Sequence, residues 1–116
     1  MNLQQVFDKV SNHLLTQNSR SMEDGDCSYH SSDGTKCAIG CLIPENMYTA
    51  EMEGNSVSSS LVNGALHPIS VKGDMHDMLC DLQSVHDNLW PTEWTKALLR
   101  LAITYKLFFT PLPEGT

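Results

Sequence analysis

The sequence predicts an α+β fold in which three main α-helices pack with a small β-hairpin in a single compact domain. Two segments, 2–17 and 74–107, repeat apolar residues at the spacing of amphipathic helices. Between them, an Asp-Gly pair separates two short β-compatible runs, which is the signal of a hairpin. The chain has 116 residues, enough for one core, so we expect one domain over 1–116.

The first helix is predicted over residues 2–17. Its apolar residues recur three or four positions apart, while polar side chains occupy the other faces. We therefore expect one stripe to pack on the domain core, formed by Leu3, Val6, Phe7, Val10 and Leu14.

The hairpin region is predicted over residues 27–43. Asp33-Gly34 supplies the turn, and Gly40 predicts a bend in the second arm. A two-stranded hairpin is marginally stable by itself, so the helices should cover one of its faces.

The remainder of the chain divides into three parts. Residues 44–73 are predicted to be largely irregular. Residues 74–107 predict a helical hairpin, interrupted at 88–91, and this short break favours an antiparallel pair. Residues 108–116 predict a frayed or strapped tail because Pro111 and Pro113 prevent a continuing helix.

The charge and composition limit the partners. Fourteen acidic residues against seven basic ones give a net charge of −7, which argues against binding to nucleic acid. No segment has the apolar length of a membrane span, so no membrane partner is expected. No signal-peptide pattern occurs at the start, which predicts a cytoplasmic location with reduced cysteines.

The cysteines raise the question of a zinc site, but their spacing along the chain argues against one. A zinc site, if there were one, would use Cys27, Cys37, Cys41 and His30, with Cys80 as another candidate ligand. The spacings C-x9-C and C-x3-C lack the paired C-x-x-C knuckles of structural zinc sites. Buried thiols are therefore the favoured interpretation, with no metal and no cofactor.

No catalytic residue is predicted. The sequence lacks a phosphate-binding glycine loop, a serine elbow and a zinc-protease motif. The pairs His76-Asp77 and His86-Asp87 are similar to those of metal phosphohydrolases, but the further ligands of such enzymes are missing. We interpret both pairs as polar surface or helix-end residues.

Three residues are candidates for binding a ligand or a partner: Tyr29, Lys36 and Trp90. Lys36 is the only Lys or Arg between Arg20 and Lys72, so an anionic group near Lys36 and Tyr29 is one hypothesis. A structural turn with a solvated lysine is the favoured alternative. Trp90 would either fill the junction of the two C-terminal helices, which we favour, or present a contact surface.

A resemblance to a known family rests on short motifs that extend over most of the chain. They begin with Phe7-Asp8-Lys9-Val10, His13-Leu14 and Cys27-x-Tyr29, followed by Asp33-Gly34-x-Lys36-Cys37-Ala38-Ile39-Gly40-x-Leu42-Ile43-Pro44. Further along are Tyr48, Glu53-Gly54, Leu82-Gln83-x-x-His86-Asp87 and Trp94. With these motifs the sequence resembles an uncharacterised family of small proteins from bacteriophages, prophages and some bacteria. The resemblance implies no reaction and no catalytic residues. It places a small residue where this chain has Cys41, which implies that Cys41 is not a required metal ligand.

The expected function is that of a small acidic phage-type protein that acts without catalysis. It would bind or inhibit a host or defence protein in the host cytoplasm. One alternative is a sponge that sequesters a nucleotide-like small molecule, and a second is a zinc- or thiol-dependent enzyme. A homodimer formed through exposed helix faces also stays open.

Overall fold

Three long helices form the frame of the molecule. The structure is a computed structural model that describes residues 1–66 and 69–110. In chain order its helices and strands are α1 (Leu3–Gln17), β1 (Met22–Glu23), β2 (Asp26–Cys27), α2 (Ser60–Ala65), α3 (Gly73–Asn88) and α4 (Pro91–Tyr105). The predicted α+β class, with three main helices and a small antiparallel hairpin, is confirmed.

α1 begins at a capping box. The Asn2 side chain accepts a hydrogen bond from the Gln5 backbone N–H at 2.8 Å, and the Gln5 side chain accepts one from the Asn2 N–H at 2.9 Å. These bonds satisfy donors that a helix start leaves open. The helix ends at Asn18, whose left-handed backbone (φ 50°) is tolerated by asparagine. Its fully covered face consists of Val6, Phe7, Val10, Ser11 and Leu14.

α3 and α4 form the predicted helical hairpin and pack against each other and against α1. Only Leu89 and Trp90 connect them. Pro91 occupies the first position of α4, and the Glu93 carboxylate accepts a hydrogen bond from the Trp90 backbone N–H at 3.1 Å. Trp94, one turn further on, is fully buried and belongs to the core.

The β-hairpin lies earlier in the chain than predicted. β1 pairs with β2 around Asp24-Gly25, where both residues have positive φ angles of 52° and 88°. That geometry suits the tight turns that join two antiparallel strands. In the pair Asp33-Gly34, the glycine has a positive φ and the aspartate does not. The segments on either side of this pair form one isolated β-bridge, between His30 and Lys36. The prediction of a hairpin over 27–43 was therefore wrong in its position.

The stretch 37–43 lies under the helices and is part of the core. It includes a 3-10 turn, Gly40–Leu42, rather than a strand. A side chain at Gly40 would meet the Tyr29 carbonyl, since a Cβ there would lie 1.9 Å from that oxygen. The Ile39 backbone N–H donates to the Gln83 side-chain oxygen at 3.0 Å, which ties this stretch to α3.

The middle and the end of the chain are held by short elements. The predicted irregular segment 44–73 contains two 3-10 turns, Glu45–Met47 and Ala50–Met52, as well as α2.

After α4, the side-chain amide of Gln4 makes two hydrogen bonds with the Phe108 backbone, which hold residues 107–110 against α1. Pro111 and Pro113 lie outside the described residues. Among those described, no helix is long and apolar enough to cross a membrane.

Candidate functional site

A cleft of about 480 Å³ lies between α3 and two loop segments. One loop follows β2 and the other precedes α2. Its lining includes the polar residues Cys27, Tyr29, Glu53, Gln83 and Asp87, and no lysine or arginine among the described residues lines it. The two carboxylates make the cleft acidic.

Asp87 lies in the wall of this cleft with its side chain one-third exposed. Its Oδ1 atom accepts hydrogen bonds from His86 Nδ1 and Gln83 Nε2, both at 2.7 Å. Burial raises the pKa of Asp87, but these donors, with the Cys27 thiol, hold it below its ordinary value. Both nitrogen donors bond Oδ1, and an ionised carboxylate can accept further hydrogen bonds, so this one-third exposed group retains acceptor capacity for a ligand.

His86 orients this carboxylate from the interior. Its side chain is fully buried, and its Nε2 accepts a hydrogen bond from the Ser21 backbone N–H at 2.9 Å. We assign the proton to Nδ1, because a backbone N–H requires an acceptor at Nε2. His86 lies in the last turn of α3, in agreement with the helix-end interpretation of the pair, but it is buried and is not a surface residue.

Glu53 stabilises the loop that carries Ser28, Tyr29 and His30. It accepts hydrogen bonds from the Ser28 hydroxyl and the Tyr29 backbone N–H, each at 2.9 Å, and from the Tyr48 hydroxyl at 2.6 Å. Burial raises the pKa of Glu53, but the hydrogen bonds outweigh this effect and lower it. The second acid of the cleft is therefore an ionised structural group.

The thiols lie in environments that disfavour the thiolate. Burial raises the pKa of Cys27 to about 11 and that of Cys37 and Cys41 to about 12. The Cys37 sulfur accepts from the Gly40 backbone N–H at 3.2 Å, and Cys41 donates to the Ala38 carbonyl at 3.1 Å. Neither thiol is arranged as a nucleophile.

The zinc set considered from the sequence is not brought together. Among the described residues, the one cluster of three metal-ligating groups within 4.8 Å is Cys27, His86 and Asp87. Coordination through His86 would displace its Nδ1 proton. With the proton moved to Nε2, the ring would face the Ser21 N–H as a second donor, so the cluster fits a hydrogen-bonded network better than a metal.

Lys36 and Tyr29 are both engaged by the protein itself. Lys36 Nζ lies 2.7 Å from a Glu45 carboxylate oxygen, and Lys36 does not line the cleft. Tyr29 lines it but is buried, with its hydroxyl donating to the Asn55 carbonyl, and burial raises its pKa to about 12. The structure gives these two residues separate roles rather than a shared anion site.

Trp90 is exposed, which corrects the favoured prediction that it fills the helix junction. It is 65% exposed, and the Arg20 guanidinium lies 4.5 Å from its ring centroid. Arg20 also donates from Nε and Nη2 to the Leu89 carbonyl. Trp94 occupies the junction instead, with its indole N–H donating to the same carbonyl at 3.2 Å.

Sequence reasoning missed Asp87, Gln83 and Glu53 as members of one site. The spacing of Gln83 and Asp87 was visible as an ordinary helical i, i+4 pair. Nothing in the sequence showed that Cys27 or Glu53 would lie beside α3. Comparisons with protein-family models, curated proteins and solved structures find no significant match to this chain.

Proposed function

We propose that this chain is a non-enzymatic binding protein whose cleft accepts a lysine or arginine side chain of a partner protein. Asp87 is the observation that carries the proposal. Its ionised carboxylate accepts both nitrogen donors on Oδ1 and retains acceptor capacity for a ligand, and no lysine or arginine of the described residues lines the cleft. A cationic donor is the group such a carboxylate binds best.

Trp90 supplies a second contact beside the cleft. Asn88 lines the cleft and lies two residues before Trp90, and the Arg20 guanidinium lies over the Trp90 ring. An exposed tryptophan held by a stacked arginine is typical of the residues that dominate protein interfaces. Together these groups give the partner both a polar and an apolar anchor.

The resemblance to phage and prophage proteins suggests which partner to look for. In that context a host or defence protein with a basic surface segment is the class we propose, and the host cytoplasm is where they would meet. The net charge of −7 supports this choice, because it would steer a basic partner toward the chain.

The alternative functions have less support at this site. A nucleotide-like ligand would bring phosphates into a cleft whose described lining has two carboxylates and no lysine or arginine. A thiol-dependent enzyme would need a lowered thiol pKa, whereas the pKa values of Cys27, Cys37 and Cys41 are raised.

A nuclear magnetic resonance titration tests the cleft directly. The probes are short peptides that differ only in a central lysine, arginine or glutamate. We expect the lysine and arginine peptides to shift the amide signals of Cys27 and Asn88, and Asp87→Asn to remove the effect. Equal shifts from the glutamate peptide, or unchanged shifts in Asp87→Asn, would refute the proposal.

Matched variants then test the partner. Asp77→Asn is the control for Asp87→Asn, since Asp77 also follows a histidine on α3 but has a side chain 68% exposed. Leu61→Ala is the control for Trp90→Ala, because Leu61 is another exposed apolar residue. A host protein retained by wild type and both controls, but lost from Asp87→Asn and Trp90→Ala, is the expected result. Retention by all variants would contradict it.

A further inference from the structure

The outer face of α4 carries a concentration of positive charge in an acidic protein. Lys96, Arg100 and Lys106 are three of the chain's seven basic residues, and all three are exposed. No aspartate or glutamate occurs between Glu93 and Glu114. Within the described part of the chain, none of the three cations forms an ion pair with a carboxylate. A cation near the C-terminus of a helix commonly offsets the helix dipole, but Lys96 lies far from the C-terminus of α4.

Two large apolar side chains lie on the same face. Leu99 is 46% exposed and Ile103 is 70% exposed. Positions 96, 99, 100 and 103 lie three or four residues apart within α4, so these side chains form one stripe along the helix. Lys106 extends the stripe at the residue that caps the helix end. The buried face of α4 is separate and consists of Trp94, Leu98 and Ala102. The exposed stripe therefore does not contribute to the packing of the core.

We propose that this stripe, Lys96, Leu99, Arg100, Ile103 and Lys106, is a docking surface for an acidic amphipathic segment of another protein. An apolar ridge flanked by cations matches a helix that carries an apolar stripe flanked by carboxylates. Leu99 and Ile103 would bury against the apolar stripe, and the cations would pair with acids at the rim. This surface does not depend on the cleft, so either can be present without the other.

Charge distinguishes this partner from the other occupants of such a face. In a symmetric pair of α4 helices the cations of one copy would lie near those of the other. A membrane or a nucleic acid presents an extended anionic surface. It would also meet the rest of the chain, where fourteen acidic residues outnumber the four remaining basic ones. A short acidic segment contacts the stripe alone.

The test uses two synthetic amphipathic peptides with the same leucine stripe, flanked by glutamates in one and by lysines in the other. Fluorescence anisotropy should show binding of the glutamate peptide, weakened by salt, and much weaker binding of the lysine peptide. The double variant Lys96→Glu, Arg100→Glu should weaken binding about tenfold or more. Lys9→Glu, an exposed charge reversal on α1, should leave it unchanged.

Ile103→Ser tests the apolar ridge, with Leu61→Ser as the matched control at another exposed apolar residue. Only Ile103→Ser should weaken the glutamate peptide, and circular dichroism should show both variants folded. Equal binding of the two peptides, or loss from neither stripe variant, would overturn the proposal. So would concentration-dependent dimerisation abolished by Ile103→Ser, or binding to phosphatidylglycerol vesicles or duplex DNA without binding to the glutamate peptide.

Discussion

The Nε2 atom of His86 accepts a hydrogen bond at 2.9 Å from the backbone N–H of Ser21, 65 residues earlier in the chain. This contact joins the loop before β1 to the last turn of α3. The same ring donates to Asp87 from Nδ1 and stacks on Trp94, with centroids 5.8 Å apart. One buried side chain therefore connects the hairpin, α3, α4 and the acidic cleft.

His86→Ala should destabilise the fold strongly. The substitution removes a fully buried ring and leaves the Ser21 N–H without its acceptor, which together should cost about 3 kcal/mol or more of unfolding free energy. Urea denaturation measures the change. His76→Ala is the control, because His76 also precedes an aspartate on α3 but is partly exposed, so its cost should stay below about 1 kcal/mol. Similar losses in both variants would contradict the role assigned to His86.

Glu53 should make the fold sensitive to acid. Its pKa in the folded protein is lowered, so the carboxylate stabilises the fold above its pKa in the unfolded chain, about 4.3. That contribution is lost as the pH falls through the lower, folded-state pKa. Glu53→Gln should therefore reduce stability at neutral pH and flatten the decline that wild type shows as the pH falls below about 5.

Thermal melts over a pH series would measure both effects in wild type and Glu53→Gln. Glu51→Gln serves as the control, since Glu51 is exposed and makes none of the side-chain contacts of Glu53. A Glu53→Gln protein with wild-type stability at neutral pH would show that the hydrogen bonds to the Glu53 carboxylate contribute nothing.

Gly40 should tolerate no side chain. The Cβ of an alanine would lie 1.9 Å from the Tyr29 carbonyl oxygen and 2.7 Å from its carbon, and both belong to the backbone, which cannot rotate away. We expect Gly40→Ala to cost about 3 kcal/mol or more, or to prevent folding. Gly64→Ala is the matched control within α2, where nothing lies within 4 Å of the added atom. It should stabilise by up to about 1 kcal/mol, because alanine favours helices.

The sequence predicted the local structure well and the long-range contacts poorly. The stripe of α1 and the helical hairpin followed from apolar spacing, a local property. The hairpin was misplaced because Asp24-Gly25 and Asp33-Gly34 present the same turn signal. Only the folded chain distinguishes them: around the second pair, Ser31 N–H donates to the Thr35 carbonyl and closes a wider loop.

The candidate site was harder to predict for the same reason. Glu53 receives a hydrogen bond from the Tyr29 backbone, 24 residues away in the chain. The donors Gln83 and His86 are local to Asp87, but its approach to Cys27 arises only in the folded chain. Neither acid differs in its local sequence from an ordinary surface carboxylate. Trp90 shows the opposite error. Its large aromatic side chain predicts burial, but Trp94 already fills the helix junction and leaves Trp90 exposed.

The rate at which each cysteine reacts should depend on its solvent exposure, with no single thiol activated as in a catalytic cysteine. Cys80 is exposed, Cys27 and Cys41 are partly buried and Cys37 is buried. Burial also raises the pKa of Cys80, but it does not block access as it does for Cys37. Iodoacetamide at mildly alkaline pH, followed by peptide mass mapping, should therefore modify Cys80 first and Cys37 last. All four should react at similar rates in urea, and Cys80→Ser should leave little fast labelling. Preferential modification of Cys27 would instead show an activated thiol in the cleft and would favour a thiol-dependent enzyme over a binding protein.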